Sequence, residues 1–565
     1  MPSRDLVRRP ACARRAAMAA AGLLSGVMVA ALAAPPAPDD APASPPASAS
    51  AAAPVHTYCA EKDTPIALGS AQWNGWGHGA DNTRYQPEPA IRATDVPKLA
   101  LKWAFAYAGG AGGGQPTLVD GRLFVASAAG RIYSLDAKSA CIYWTYDAAA
   151  GVHTSISIAE LSAPRHGAPP KQTKMGRHKM TNAHLDVIKA PCAALFGDDK
   201  GAVYALNAQS GALLWKSQVE SHPLARIEGS TLHLARLYVA VGSSEPEAAR
   251  DPGYGLSTFR GSVAALDVAS GHVDWKSYLV GEEPRAVSSA AAGAPRFAPA
   301  GVPAVGAPTV DVTRSLLYVA TGDPADPTRP QPLADAVVAL DLADGKVQWS
   351  RQLPAPQPDG ARLEGPPVLR TPAAGRETLL VSQRSGMVYA LDPEHAGEVL
   401  WQLQAAAPEA PGGIAPGAAA DHRSLYVPLS GLEAQPPNEA GSLTAVDIKA
   451  GTRRWHIPSP AAACSWGEAT ACSHAQAQPV TVIPGAAFSG SMDGHLRAYS
   501  TIDGQILWDY DTAKDYRTVN QINGAGGSLQ SGGATIVNGV VYVNSGAADQ
   551  GQPGNVLLAF SVDGK

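Results

Sequence analysis

Eight of the eleven tryptophans in this 565-residue chain recur at intervals that limit the possible folds more than any other feature. Successive members lie 41 to 74 residues apart. The eight are Trp103, Trp144, Trp215, Trp275, Trp349, Trp401, Trp455 and Trp508. Such spacing indicates repeated units that are separated by insertions, rather than the constant period of a helical solenoid.

A common phrase leads into most of these tryptophans. An alternating apolar strand ends at Asp, Gly follows within a few residues, and a second strand then reaches Trp, as in "SVAALDVASGHVDW" (262–275). The alternation predicts half-buried strands. The Asp side chain can bond the turn that follows it, and the Gly supplies the positive φ of a tight connection. A large aromatic residue at a fixed place in the outer strand predicts packing between neighbouring units.

A second strand pair precedes each phrase, for example "SLLYVATGD" (315–323). Each unit is therefore expected to be a four-stranded antiparallel sheet, and such sheets arranged radially form an all-β propeller with eight blades. The last unit, "NVLLAFSVDGK", stops at Lys565 without an outer strand. The segment "LALKWAF" (99–105) has a strand pattern and its own Trp103, so we expect it to complete blade 8 and close the ring.

The first 60 residues have the composition of an export signal followed by a linker. Five Arg residues, an apolar run (16–32) and a small-residue pattern predict a signal peptide over residues 1–33, and hence a periplasmic or secreted protein. An uncleaved membrane anchor is the alternative, because the run is just long enough to span a bilayer. After cleavage no stable membrane insertion is expected. The Ala/Pro-rich residues 34–60 are predicted to be a linker, which leaves 61–565 for the propeller.

The charge balance argues against nucleic-acid binding. The formal charge of −5 becomes about −9 without residues 1–33, because these hold five Arg and one Asp. A basic face is the electrostatic requirement for nucleic-acid binding. One insert (163–184) is nevertheless basic, with five Lys or Arg, three His and no acid. It is interpreted either as a solvated loop or as a contact for an acidic partner.

Five cysteines follow the predicted signal peptide. An exported protein can keep disulfides, and Cys464 and Cys472 bracket one short segment and are the best pair. The pairing of Cys59, Cys141 and Cys192 is left open. None has CxxC spacing, so neither a zinc site nor a redox dithiol is predicted.

Several segments match a known family beyond the repeat phrases. They are "HPLARIEGSTL", "STFRGSVAALD", "FSGSMDGHLRAYSTIDGQILWDYDTAKDYRTVN" and "GNVLLAFSVDGK". In them the chain resembles the quinoprotein dehydrogenases that use pyrroloquinoline quinone (PQQ), and within these the polyvinyl-alcohol dehydrogenase branch. The segments "TFRGSV" and "DYRTVN" are the most specific for this family, because the propeller repeat does not require them. These enzymes are eight-bladed propellers, in agreement with the repeat count.

The resemblance implies oxidation of secondary alcohols or polyols with PQQ and Ca²⁺, and electron transfer to an external acceptor such as a cytochrome c. PQQ is a planar tricarboxylate that needs basic and hydroxyl partners, and Ca²⁺ needs oxygen ligands. A carboxylate base removes the alcohol proton. Many relatives carry a haem-binding CxxCH motif, but the sequence after Cys59 is "AEKD", so covalent haem is not expected.

By resemblance, the site residues lie on loops at one end of the ring. The positions matched to the cofactor are Ser243, Ser244, Arg226, Arg384 and Asn520. The positions matched to the metal are Glu247 and Asp323, with Glu245 as the alternative ligand. Asp335 is the nearest carboxylate for the base, with Asp323 as its alternative. A polar loop, a turn-capping Asp and a solvated Arg are the structural alternatives for these positions.

The chain also departs from the family pattern. Val305 stands where relatives commonly place a Trp, His153 where an Arg is expected, and Leu256 and Ser257 where adjacent cysteines often occur. An Asp/Phe-rich segment is replaced by "GARLEGPPVL" (360–369). Stacking and a charged contact are each worth about 1 kcal/mol or more, so these changes predict a weakened pocket. The alternative function is therefore a non-catalytic propeller that serves as a scaffold or binding protein.

Overall fold

The structure is a computed structural model with one compact unit over Pro54–Lys565 that contains all the described residues. They are 57–60, 65–69, 72–161, 191–248, 258–289, 295–324, 331–354, 362–373, 375–405, 413–430, 441–460, 464, 473–547 and 551–565. The predicted signal peptide, most of the predicted linker and the basic insert (163–184) lie outside these ranges. Leu256, Ser257 and Cys472 also lie outside them.

Eight four-stranded antiparallel sheets make up most of the described residues, which confirms the predicted eight-bladed propeller. A 3₁₀ helix (Val96–Lys98) and β1 (Leu99–Ala106) come first. Blade 1 is β2 (Thr117–Val119), β3 (Arg122–Ala126), β4 (Arg131–Asp136) and β5 (Ile142–Asp147). Blade 2 is β6 (Ser157–Glu160), β7 (Cys192–Gly197), β8 (Ala202–Asn207) and β9 (Leu213–Gln218).

Blade 3 is β10 (Ala225–His233), β11 (Arg236–Ser243), β12 (Ser262–Asp267) and β13 (Val273–Tyr278), with the one-turn helix α1 (Glu245–Ala248) after β11. A hairpin of β14 (Arg285–Ser289) and β15 (Pro295–Ala298) precedes blade 4. Blade 4 is β16 (Ala304–Asp311), β17 (Leu316–Thr321), β18 (Ala336–Asp341) and β19 (Val347–Gln352). Blade 5 is β20 (Val368–Arg370), β21 (Thr378–Ser382), β22 (Met387–Asp392) and β23 (Glu398–Gln404).

Blade 6 is β24 (Ala419–Ala420), β25 (Ser424–Leu429), β26 (Ser442–Asp447) and β27 (Arg453–Pro458). Blade 7 is β28 (Thr481–Ile483), β29 (Ala486–Gly490), β30 (His495–Ser500) and β31 (Ile506–Asp511). A small pair, β32 (Asp515–Tyr516) and β33 (Gly524–Ala525), precedes β34 (Thr535–Val537), β35 (Val540–Ser545) and β36 (Val556–Val562). Among the described residues, no helix has the length and apolar character needed to cross a membrane.

The N-terminal strand closes the ring. Blade 8 has the strand order β1-β36-β35-β34, so the strand that begins at Leu99 is the outer strand of the last blade. β1 pairs antiparallel with β36 from Leu99 opposite Val562 to Ala106 opposite Val556. The first strands of most neighbouring blades contact each other around the central channel. The predicted closure by residues 99–105 is therefore confirmed.

The repeat phrase forms the turn between the third and fourth strands of each blade. In blade 3, Asp267 Oδ1 accepts a hydrogen bond from Ser270 N at 2.9 Å, and Gly271 has φ +71°. A Cβ on Gly271 would lie 2.5 Å from the ring of Trp215 on the preceding blade. The glycine is thus required twice, for its positive φ and for the close approach of the indole.

The eight tryptophans pack between blades, as predicted. All lie on the fourth strands of their blades. The indole Nε1 atoms of six of them donate to a backbone carbonyl of the next blade. Trp144, for example, donates to Ala208 O at 3.0 Å, and Trp508 donates to Leu99 O at 3.0 Å. These six indoles therefore attach one blade to the backbone of the next.

The segment 72–86, which we call the plug, crosses the channel and hydrogen-bonds to the first strands of six blades. Its backbone or side-chain atoms bond to Leu118, Ile158, Val310, Leu369, Ala420 and Val482. Arg84 in this segment is fully buried and donates to Val480 O at 2.7 Å and to Gln115 Oε1 at 2.7 Å. Burial lowers the pKa of Arg84 to about 9. Because Val310 is the seventh of the eight residues in β16, the plug binds toward the far ends of the first strands.

One disulfide pairs two of the cysteines that the sequence left open. Cys59 is bonded to Cys141, and Tyr58 forms a bridge with Ile142 of β5, so residues 57–59 are attached to blade 1. Cys192 is buried, with its Sγ 3.7 Å from Ile66 O. Cys464 is disulfide-bonded, and Cys472, its predicted partner, lies outside the described residues.

Candidate active site

Strand direction brings most of the predicted site residues to one end of the ring. In a four-stranded antiparallel blade, the start of the first strand and the hairpin between the second and third strands lie at the same end. Arg226 is near the start of β10, and Ser243 ends β11. Asp323 follows β17, and Arg384 follows β21. This end, opposite the plug, carries the candidate site on blades 3, 4 and 5.

Asp323 and Asp335 form a carboxyl pair on blade 4. Asp335 has φ +49°, and its N–H donates to Gly322 O at 3.2 Å, so the backbone holds it beside the loop of Asp323. Burial raises the pKa of Asp335 to about 7, and the neighbouring carboxylate of Asp323 adds to that rise. Within the described part of the chain, the buried Oδ1 of Asp335 has no hydrogen-bond partner.

Two arginines and a buried glutamate of blade 5 lie beside this pair. Arg362 Nη2 is 2.9 Å from Glu364 Oε1, and Arg384 Nη1 is 3.8 Å from the same oxygen. Burial raises the pKa of Glu364, although both arginines act against this rise. The stem of Arg362 packs on Gly322, where a Cβ would lie 3.5 Å from Arg362 Cδ.

Blade 3 contributes a second arginine–glutamate pair. Arg226 Nε lies 2.6 Å from Glu228 Oε1. Burial acts to lower the pKa of Arg362, but the carboxylates of Glu364, Asp323 and Glu228 together raise it. The charged groups of blades 3, 4 and 5 are thus close enough to interact, and we call Arg226, Glu228, Asp323, Asp335, Arg362, Glu364 and Arg384 the charged cluster.

The serines and acids after β11 make mainly local contacts. Ser243 Oγ accepts a hydrogen bond from Glu245 N at 3.2 Å, and Ser244 N donates to Leu224 O at 2.9 Å. Glu245 Oε1 lies 4.0 Å from His222 Nε2. Glu247 belongs to α1, but its side chain is outside the described part of the structure. The metal role of Glu247, with Glu245 as alternative, stays a prediction.

Asn520 and the residues that depart from the family pattern make contacts of their own. Asn520 binds the backbone of Ala106 through both amide atoms, at 3.0 and 2.7 Å, and so attaches the end of β1. His153 Nε2 lies 3.2 Å from Asp199 Oδ2. Val305 is half-buried at an irregularity of β16, and its neighbour Gly306 has φ +68°. The structure therefore does not bring Asn520 into the charged cluster.

Three members of the charged cluster were missed by the sequence analysis: Glu228, Arg362 and Glu364. Arg362 and Glu364 lie in the segment that was noted only as a departure from the family pattern. A signal was present, because Arg and Glu stand two residues apart in both "LARIEG" and "GARLEG". Within the described ranges, no three His, Cys, Asp or Glu side chains are grouped closely enough to hold a metal ion by themselves.

Comparison with known proteins identifies the family of the chain. A repeat-family model described as outer membrane protein assembly factor BamB matches residues 88–302 and 200–482. The chain is 38% identical over 536 residues to a polyvinylalcohol dehydrogenase of Pseudomonas sp, with 90% of this chain and 80% of that protein covered. It is 37% identical over 542 residues to the polyvinylalcohol dehydrogenase of Sphingopyxis sp. (strain 113P3), with 90% and 79% covered.

A solved structure shows the same fold. The quinohemoprotein alcohol dehydrogenase ADHIIG from Pseudomonas putida HK5 aligns with a TM-score of 0.61 over 88% of this chain and 81% of that chain. Its sequence identity to this chain is 16%. At that identity, the likeness establishes the propeller architecture alone.

Proposed function

The chain belongs to the polyvinylalcohol dehydrogenase family and to the repeat family whose model it matches, and from that premise we propose that it oxidises alcohols with bound PQQ. As a member of that dehydrogenase family it is an oxidoreductase. The finer assignment is oxidation of secondary alcohols or polyols with Ca²⁺ and an external acceptor such as a cytochrome c. Export to the periplasm or beyond is part of the same proposal.

The carboxyl pair of blade 4 is the observation that carries the proposal. A general base works best when its pKa lies near the working pH. Burial and Asp323 raise the pKa of Asp335 to about 7, so near neutral pH its carboxylate can take the proton of an alcohol hydroxyl. Asp335 is therefore the proposed base, and Asp323 is its alternative.

The residues present fit the implied cofactors. The carboxylate of Asp323, beside Asp335, offers oxygen atoms of the kind that a divalent cation takes as ligands. Asp323, with Glu247 or Glu245, would hold Ca²⁺. Arg226, Arg384 and the serines at 243 and 244 would bind the carboxylates and carbonyls of a planar polyanion. When bound, PQQ supplies the acceptor for the hydride of the alcohol carbon, and Ca²⁺ polarises the quinone.

The experiment measures PQQ binding and catalysis separately. The purified protein is titrated with PQQ, with and without Ca²⁺, and alcohol-dependent reduction of a dye is then followed. We expect Asp335→Asn to lower kcat by about 100-fold or more, because a general base contributes that much, while the Kd for PQQ changes little. Asp344→Asn, at an exposed turn of the same blade, is the matched control and should leave both quantities unchanged.

Two results would contradict the proposal in different ways. Full activity of Asp335→Asn would show that Asp335 is not the base and would favour Asp323. Failure of the wild-type protein to bind PQQ with or without Ca²⁺ would contradict the dehydrogenase function, and a non-catalytic propeller would then be the better interpretation.

A further inference from the structure

Two five-residue segments of this chain share one pattern and one place in their blades. "ARIEG" (225–229) opens the first strand of blade 3, and "ARLEG" (361–365) precedes the first strand of blade 5. The other six blades have different residues at this point. The propeller repeat does not demand the pattern, because the blades share their turn phrase and not their entry segments.

The two segments build the same side-chain arrangement. In each, the Arg makes an ion pair with the Glu two residues later, at 2.6 Å for Arg226 and 2.9 Å for Arg362. The carboxylates are the more buried partners, with 21% and 8% of the Glu228 and Glu364 side chains exposed. The Arg side chains are 38% and 34% exposed. In each pair the glutamate is thus the inner, more buried partner, and the guanidinium is the outer, more exposed one.

Both segments pack against the same short stretch of blade 4. A Cβ on Gly229 would lie 2.6 Å from Ala307 N, so the blade 3 segment touches the backbone of β16 directly. A Cβ on Gly306 would lie 2.7 Å from Cδ of Pro366, the residue that follows the blade 5 segment. The two Arg–Glu pairs therefore flank blade 4 at Gly306, the neighbour of Val305.

We infer that Arg226 and Arg362 are a matched pair of guanidinium arms that bind two carboxylates of one planar polyanionic ligand over blade 4. The inference rests on the proposed function, in which that ligand is PQQ. It adds Arg362 to the binding residues and gives Glu228 and Glu364 the role of positioning residues that orient the two arms.

The chemistry of the guanidinium group fits this role. Its planar fork of N–H donors binds carboxylates with two parallel hydrogen bonds, and its flat face stacks on aromatic rings. A Trp at position 305 would offer a ligand stacking alone. Val305 and Gly306 have small side chains and offer the ligand no aromatic ring. The guanidinium groups of Arg226 and Arg362 beside them offer positive charge, so ionic contacts to the ligand replace the aromatic one.

Binding to the protein without turnover tests the inference. Kd values for PQQ and for PQQ trimethyl ester are measured by quenching of tryptophan fluorescence in the presence of Ca²⁺. We expect Arg226→Gln and Arg362→Gln each to raise the Kd for PQQ tenfold or more, since each removes a charge-assisted contact. For the ester, which lacks carboxylates, both variants should bind within about twofold of the wild type.

A control with an ion pair of similar length and exposure separates this effect from a general loss of charge. Arg236→Gln breaks a 3.0 Å ion pair with Asp274 at the opposite end of blade 3, where the Arg side chain is 36% exposed, and should leave the Kd for PQQ unchanged. Near-UV circular dichroism checks the fold. Should a Gln variant not fold, Arg226→Lys and Arg362→Lys keep the charge but lose the fork, and each should still weaken PQQ binding severalfold.

The outcomes distinguish this inference from the function on which it rests. Wild-type protein that binds no PQQ would contradict the proposed function. Wild-type binding that is kept within twofold in either single variant would overturn the paired arms and leave the function standing. An equal loss for PQQ and its ester would show that the arms do not contact carboxylates, and would also overturn the inference.

Discussion

Ala140 occupies a position that glycine holds in the corresponding turns of six other blades. Its φ is +56°, and its N–H donates to Asp136 O at 2.8 Å, as the N–H of Gly271 donates to Asp267 O in blade 3. A residue with a Cβ is strained at positive φ. Trp103, on the preceding blade, is buried, and its Nε1 has no hydrogen-bond partner among the described residues. The contact between blades 8 and 1 thus lacks the indole hydrogen bond that six other contacts between blades have.

Replacing this alanine should therefore stabilise the protein. We expect Ala140→Gly to raise the free energy of unfolding by about 0.5–1 kcal/mol, because relief of the left-handed strain exceeds the entropy that glycine loses on folding. The midpoint of chemical denaturation measures this change. The reverse change at the equivalent site, Gly271→Ala, should destabilise, since its Cβ would lie 2.5 Å from the Trp215 ring. A lower midpoint for Ala140→Gly would contradict the strain argument.

At single residues, the sequence predicted what local chemistry determines. The turn-bonding Asp, the positive-φ Gly and the inter-blade Trp follow from the repeat, and all are confirmed. Asp323 was matched to the metal and Asp335 to the base, and in the structure the two carboxyl groups interact, while their roles stay predictions. Arg362 and Glu364 were missed because their importance depends on contact with another blade. The amide of Asn520 hydrogen-bonds to the backbone of Ala106, and its cofactor role stays a prediction.

A charge network lies at the start of β30 in blade 7, where this strand pairs with β31. Arg497, 1% exposed, lies 3.0 Å from both Asp493 Oδ2 and Asp509 Oδ2. His495 Nδ1 is 2.6 Å from Asp509 Oδ1. Burial opposes charge on His495, but Asp509 and Asp493 overcome this effect and raise its pKa above the ordinary 6.5. The protonated imidazole is therefore the form that the folded blade favours.

This raised pKa gives blade 7 a stability that depends on pH. A pKa raised by folding contributes stability that is complete below the unfolded value of 6.5 and is lost as the pH rises through the folded value. We expect the wild type to lose more stability than His495→Gln as the pH rises from 6.5 through the raised pKa of the folded state. Urea denaturation across this range measures the difference. Parallel pH profiles of the two proteins would contradict the assigned shift.

Among the elements, strands were predictable and the plug was not. Alternation of apolar residues identifies a strand locally, because its side chains point to opposite faces. The plug has no such periodicity in its sequence, "WNGWGHGADNTRYQ" (73–86), and the repeat phrase does not include it. Its conformation depends on hydrogen bonds to the first strands of six blades. Such contacts exist only after the ring has formed.

Ring closure connects distant parts of the chain and determines the stability of the whole propeller. β1 and β36 are far apart in sequence but adjacent in blade 8, where Ala104 lies opposite Leu558. An unpaired β36 would expose a strand edge. Trp508 of blade 7 also donates to Leu99 O, so β1 contacts blade 7 as well as completing blade 8. The repeat count predicted this arrangement. The last repeat of the sequence has no outer strand, and the strand at residues 99–105 belongs to no repeat of its own.

Removal of β1 should therefore destabilise all blades together. We expect deletion through residue 53 to leave the denaturation midpoint unchanged, and deletion through residue 105 to lower it strongly. The longer deletion also removes the plug, so Phe105→Pro, opposite Leu557, provides the variant that keeps the plug and removes a backbone donor facing β36. Phe105→Ala is the control for the lost side chain. Leaving a buried backbone group unpaired costs about 1–3 kcal/mol, and a loss of at least this size is expected. If Phe105→Pro unfolds at the midpoint of Phe105→Ala, and both truncations unfold at the wild-type midpoint, closure by β1 contributes nothing to stability and the argument is wrong.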